Sequence, residues 1–127
     1  MSEPALRFYF DFVCPYAYLA SLRVEEIAAE AGARLVYEPM LLGGVFRSIG
    51  APDAPKMSAA RAKYNAMDLA RQSARAGVVL AMPPGHPRRT VLALRAAIAS
   101  KDLPRATRAL FDAYWARGED LEDASVV

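Results

Sequence analysis

The stretch Phe8-Tyr9-Phe10-Asp11-Phe12-Val13-Cys14-Pro15-Tyr16-Ala17-Tyr18-Leu19-Ala20 constrains the fold more than any other part of the chain. Leu6, Phe8, Phe10 and Phe12 alternate with Arg7, Tyr9, Asp11 and Val13, the period of two that belongs to a strand. Pro15 suits a first helical position, where no backbone N–H is needed. The apolar spacing then turns helical through Ala20, Val24, Ile27, Ala28 and Ala31, and Gly32 is placed to end the helix. The pattern predicts a strand running straight into a helix of about 16 residues, with the only cysteine, Cys14, at the junction.

That placement has chemical consequences. A thiol at a helix N-terminus faces unpaired backbone N–H groups and the positive end of the helix dipole, and both favour its thiolate form. Such a sulfur can attack as a nucleophile or hold another thiol by hydrogen bonding. The alternative is a buried cysteine that packs as a small hydrophobe. A single cysteine excludes an internal disulfide, and the sequence shows no zinc-ligand cluster. A net charge of +2 points to no acidic partner, and no nucleic-acid role is expected. Met1 to Pro4 lack the features of a signal peptide, and no run approaches the roughly 18 apolar residues of a membrane span. A cytoplasmic protein that does not engage the membrane is expected.

Further along, Arg34 to Leu42 reads as a second strand, with Pro39 marking its end or a sheet edge. Strand, helix and strand make a parallel, right-handed βαβ unit. Gly43-Gly44 reads as a turn and Val45 to Gly50 as the start of a loop. No Gly-Lys-Ser/Thr follows, so this is not a phosphate loop. The Pro-rich run Ala51 to Lys56 is the best internal boundary, separating 1–50 from 51–127. Beyond it the pattern is helical. A helix capped by Ser58 is expected to reach Ala76 before Gly77, with Ala60, Tyr64, Met67, Ala70 and Ala74 on its inner face. Another runs from about Thr90 to Ser100, with Val91, Leu94 and Ile98 on one side. A last helix opens at Leu103-Pro104, with Thr107, Leu110, Phe111 and Tyr114 inward and Gly118 after it. Tyr64 and Trp115 read as packing residues and His86 as structural. Asp11 is expected to pair with a helix arginine, and Asp68 with Arg71 at i,i+3.

Tyr9 to Ala20 resembles the N-terminal signature of the 2-hydroxychromene-2-carboxylate isomerases. These are similar to the kappa-class glutathione transferases and, more distantly, to DsbA-like oxidoreductases. Later stretches resemble the same family in the same order: Pro39 to Phe46, Arg61 to Arg71, His86 to Thr90 with Ala93 to Ala96, and Phe111 to Asp123. The resemblance covers nearly the whole chain. It implies an α/β fold with a thioredoxin-like βαβ unit at 1–50 and an all-helical inserted domain at 51–127. The family's C-terminal half of the thioredoxin fold, with its cis-proline loop, has no counterpart in these residues, so either an N-terminal fragment or a fold completed by a second chain is expected. A chain without that half is expected to bind glutathione weakly or not at all.

The resemblance also implies a function: glutathione-dependent isomerisation of 2-hydroxychromene-2-carboxylate in aromatic catabolism. Glutathione is then the cofactor and a small aromatic carboxylate the substrate; the exposed edges of a two-stranded sheet separately make a homodimer the expected assembly. The family residue matching Cys14 contacts the thiol of glutathione, with Pro15 beside it. Arg61 matches a basic residue that helps hold glutathione, as a guanidinium suits a carboxylate. Lys56 and Lys63 are alternatives for that task, and a solvated Arg61 is another. The family position of Cys14 is usually serine, which can only hydrogen-bond the sulfur, whereas cysteine can also form a mixed disulfide. The family's Gly-Asn loop has no counterpart, since Ala51 follows Gly50. A kappa-like transferase or thiol oxidoreductase is the alternative activity. Dithiol exchange within the chain is excluded, because Ala17 stands where a second cysteine would be needed. A half-domain that acts only through association is a further alternative.

Overall fold

The computed structural model describes residues 2–51 and 57–127. The Pro-rich connector expected at 51–56 lies, apart from Ala51, outside the described residues. Strand β1 (Ala5–Phe10) pairs in parallel with β2 (Arg34–Pro39), placing Leu6 opposite Leu35, Phe8 opposite Tyr37 and Phe10 opposite Pro39. The alternation read from the sequence fixes the faces: Phe8 and Phe10 are buried, while Ala5, Arg7 and Tyr9 are exposed. Pro39 is the last residue of its strand, where a missing N–H costs nothing.

The crossover between the strands is not one helix. It is two, α1 (Pro15–Ser21) and α2 (Val24–Glu30), broken at Leu22-Arg23. The cause is local competition for a carbonyl. The Ser21 hydroxyl donates to the Tyr18 carbonyl at 2.6 Å, which Leu22 N–H would use in a continuous helix. The Leu22 and Arg23 amides turn instead to Leu19 and Ala20, three residues back. Gly32, at φ 61, ends α2 as expected.

After β2 the chain forms a helix, α3 (Leu42–Ile49), through Gly43 and Gly44 rather than the expected turn and loop. A distant side chain starts it. Asp11, expected to pair with an arginine, lies just beyond β1, is 1% exposed and has no arginine partner among the described residues. Its Oδ2 accepts from Leu42 N–H at 2.9 Å. Its Oδ1 accepts from Thr90 Oγ1 at 2.6 Å and from Val13 N–H at 3.3 Å. Asp11 therefore supplies from 31 residues away the cap that the α3 N-terminus lacks locally.

Helix α4 (Ala59–Ala76) begins and ends as the sequence predicts, with Ser58 Oγ accepting from Arg61 N–H and Gly77 at φ 72. Its inner face is different. Tyr64 (62% exposed), Met67 and the alanines at 60, 70 and 74 face outward, and Ser73 is the buried residue of the helix. Helix α5 (Val91–Ala99) buries Ala93, Leu94 and Ala97 and leaves Val91 and Ile98 exposed. Helix α6 (Leu103–Phe111) is capped by Asp102 and runs into a π-helical turn, Asp112–Ala116. Thr107, Leu110, Phe111 and Tyr114 point inward as expected, and Trp115 is fully buried. The wider turn leaves the Trp115 carbonyl to accept from Ala81 N–H at 2.7 Å, tying down the segment after α4.

One core joins these elements: Phe8, Phe10 and Phe12 pack with Tyr18, Phe111, Trp115 and Leu121. Phe12 and Phe111 meet edge to face at 4.9 Å, within the range where aromatic pairs attract beyond their buried area. No described helix is long and apolar enough to cross a membrane.

Thr90→Val keeps the shape of the side chain while removing the Asp11 hydrogen bond. It is expected to destabilise the protein by about 1–3 kcal/mol, read from denaturant unfolding. A variant as stable as the parent would show that the Asp11 contacts do not hold the fold.

Candidate functional site

The turn that follows β1 is built to hold one residue at the start of α1. Cys14 N–H donates to the Asp11 carbonyl at 3.2 Å, closing the turn. Cys14 is then the N-cap, with extended backbone (φ −93, ψ 116), and its carbonyl accepts from Tyr18 N–H. Pro15 takes the first helical position, as its fixed φ favours. The next two amides, Tyr16 and Ala17, carry no capping bond from the Cys14 side chain. Among the described residues, a half-buried free thiol thus sits beside two N–H groups with no hydrogen-bond acceptor. The arrangement suits an anionic group on a ligand placed beside the turn. With α1 only seven residues long, these local amides carry the effect more than an extended dipole does.

Two residues on, the Tyr16 hydroxyl donates to Asp68 Oδ2 on α4 at 2.6 Å. Partial burial, the hydrogen bond to Asp68 and the Asp68 charge push the Tyr16 hydroxyl up to about 12, with smaller contributions from Tyr64 and Cys14. Tyr64 and Cys14 are therefore its electrostatic neighbours. This contact replaces the expected Asp68–Arg71 pair. No sequence signal marks it, since the partners are 52 residues apart.

The structure brings Cys14 and Pro15 together at the α1 N-terminus and places Arg61 on the first turn of α4, exposed. No hydrogen bond joins Arg61 to Cys14 among the described residues. Arg61 nevertheless shares a helix face with Asp68. Seven residues is almost two full turns, which puts Arg61 about 10 Å along the axis from the Asp68 contact. Lys63 is exposed on the same helix, and Lys56 lies outside the described residues.

His86 is structural, as expected. Its Nδ1 pairs with the Tyr114 hydroxyl, which also accepts from Arg88 N–H at 3.2 Å. Arg88 bridges to Asp120 and Glu122, closing the loop over the end of α6. Burial holds the His86 pKa below its ordinary 6.5. A cleft of about 260 Å³ lies away from Cys14, among Ser21, Leu22, Glu25, Tyr37 and Arg108. Among the described residues, no group of three or more His, Cys, Asp or Glu side chains is placed to hold a metal ion.

A family model described as the DSBA-like thioredoxin domain matches residues 5–127. A solved structure described as 2-hydroxychromene-2-carboxylate isomerase (HCCA isomerase) is similar to this chain, with a TM-score of 0.78 and 26% identity. The match covers 94% of this chain and 60% of that one, so this chain spans about 60% of its relative's length. No curated protein matches the sequence at a significant level.

The depressed His86 pKa sets a pH dependence. Above 6.5 the imidazole is neutral in both states and contributes no slope; as pH falls below 6.5 the unfolded chain takes up the proton first. Stability is expected to fall on acidification from pH 7 towards 5, and His86→Gln is expected to flatten that slope. Urea midpoints across the range measure both. A parent slope unchanged in the variant would contradict the assignment.

Proposed function

We propose, from the premise that this chain belongs to the DSBA-like thioredoxin domain family, that it works as a glutathione-dependent isomerase of 2-hydroxychromene-2-carboxylate. The observation that carries the reading is Cys14 at the α1 N-cap, beside the unengaged Tyr16 and Ala17 amides. Those donors fit an anionic thiol, and the likeness to the structure described as HCCA isomerase supports the choice of substrate. Glutathione, when bound, supplies the nucleophilic thiol for the isomerisation. The chain's own part is to bind and orient. The Tyr16 and Ala17 amides stabilise negative charge on sulfur, worth most where water is partly excluded. Pro15 fixes the turn, and Arg61 offers a guanidinium to a carboxylate of the tripeptide. A small aromatic carboxylate is the substrate, and a homodimer in the cytoplasm completes the reading.

A second reading rests on the half-exposed thiol itself. As the residue at the N-cap, Cys14 can exchange with a disulfide, giving a mixed disulfide and releasing a thiolate, where a serine could not.

Calorimetric titration of glutathione into the parent, Cys14→Ser and Cys14→Ala tests the site. Weak but measurable binding is expected, kept by the serine variant and reduced roughly tenfold by the alanine variant, the worth of one hydrogen bond to a charged group. Equal binding by all three would overturn the assignment of the thiol site to Cys14, and no binding to the parent would overturn the glutathione reading of this chain.

A further inference from the structure

Helix α4 is held in an unusual way. It is 18 residues long, yet Ser73 is its buried residue, and its large apolar side chains Tyr64 and Met67 are 62% and 46% exposed. Its most extensive contact is with α1. Burial of apolar surface therefore does little to fix its position, since the hydrophobic term scales with the area removed from water. Among the described residues, the side-chain hydrogen bond that ties α4 to another helix or strand is the 2.6 Å bond from the Tyr16 hydroxyl to Asp68. We propose that the Tyr16–Asp68 hydrogen bond is a latch that sets α4 beside the Cys14 turn, making Tyr16 and Asp68 positioning residues for the thiol site. The inference rests on the reading of Cys14 as a glutathione site.

The geometry gives the latch its leverage. Tyr16 is two residues beyond Cys14 and belongs to the same turn, which Asp11 and the core hold rigid. Asp68 shares its helix face with Arg61, and Tyr64 lies one turn before it. Opening the latch therefore moves Arg61 and Tyr64 together relative to the sulfur. An ionised acceptor makes the bond strong and short. The Tyr16 hydroxyl, pushed up to about 12, keeps its proton throughout the neutral range, so the donor persists. Tyr16 is 39% exposed, so its loss leaves the core intact.

The test compares the parent with Tyr16→Phe and Asp68→Asn by two readouts. The first is amide hydrogen exchange over residues 59–69. The second is the rate at which Cys14 exchanges with oxidised glutathione, relative to the neutral bis(2-hydroxyethyl) disulfide. In each exchange the Cys14 thiolate forms one S–S bond, breaks another and releases one thiolate, so the ratio isolates recognition of the tripeptide. Tyr16→Phe is expected to speed α4 exchange and to lower the rate ratio, each roughly tenfold, the loss of a charge-assisted bond. Asp68→Asn keeps an acceptor oxygen but loses its charge, and is expected to fall between the parent and Tyr16→Phe in both readouts. Unchanged α4 exchange in Tyr16→Phe overturns the latch, and faster exchange with an unchanged ratio overturns its positioning role. A parent that shows no preference for oxidised glutathione removes the glutathione reading instead, and amide exchange alone then decides the latch.

Discussion

The Asp11 carboxylate is the point on which the rest of the structure depends. Burying a charge is costly unless hydrogen bonds replace the lost water, and here three donors do so. Val13 N–H, Leu42 N–H and Thr90 Oγ1 come from three separate segments, and all converge on one side chain. The bonds join the end of β1 to the starts of α3 and α5. The backbone of the same residue accepts from Cys14 N–H, so the candidate site is tied to the point where those elements meet. Removing the carboxylate would leave buried donors without partners, which costs more than the loss of a single exposed bond.

The next residue secures the turn from the other side. The Phe12 ring packs against Phe10 and Phe111, and its carbonyl accepts from the Trp115 indole N–H at 2.8 Å. The Cys14 turn is therefore held between a polar anchor at Asp11 and an aromatic one at Phe12. Rigid support of this kind is what a site needs to hold a sulfur in one geometry. Helix α4 stands in contrast, with an exposed apolar face and a hydrogen bond in place of a packed one. A firm thiol turn thus faces a lightly docked helix.

What was legible in the sequence follows the range of the interaction responsible. The β1 alternation, the Ser58 cap, the Gly77 terminator and the inner stripe of α6 are written in neighbouring residues, and all are found. The placement of Cys14 and Pro15 was legible for the same reason. The break between α1 and α2 was local too, but it lay in Ser21, whose hydroxyl competes for a carbonyl in a way that apolar spacing does not record. Helix α3 was illegible because its cap comes from Asp11, and Gly43-Gly44 alone argues for a turn. The i,i+3 spacing of Asp68 and Arg71 suggests a local pair, whereas the partner of Asp68 is Tyr16, 52 residues away. The buried face of α4 is not written in its spacing, because helical spacing marks where apolar residues align, not whether anything covers them.

A double-mutant cycle of Asp11→Ala and Thr90→Val, read in unfolding free energy, tests the central claim most directly. Residues that share a buried hydrogen bond are coupled, and a coupling of about 1–3 kcal/mol is predicted. Additive effects, within about 0.5 kcal/mol, would contradict the claim that this carboxylate organises the chain around the Cys14 turn.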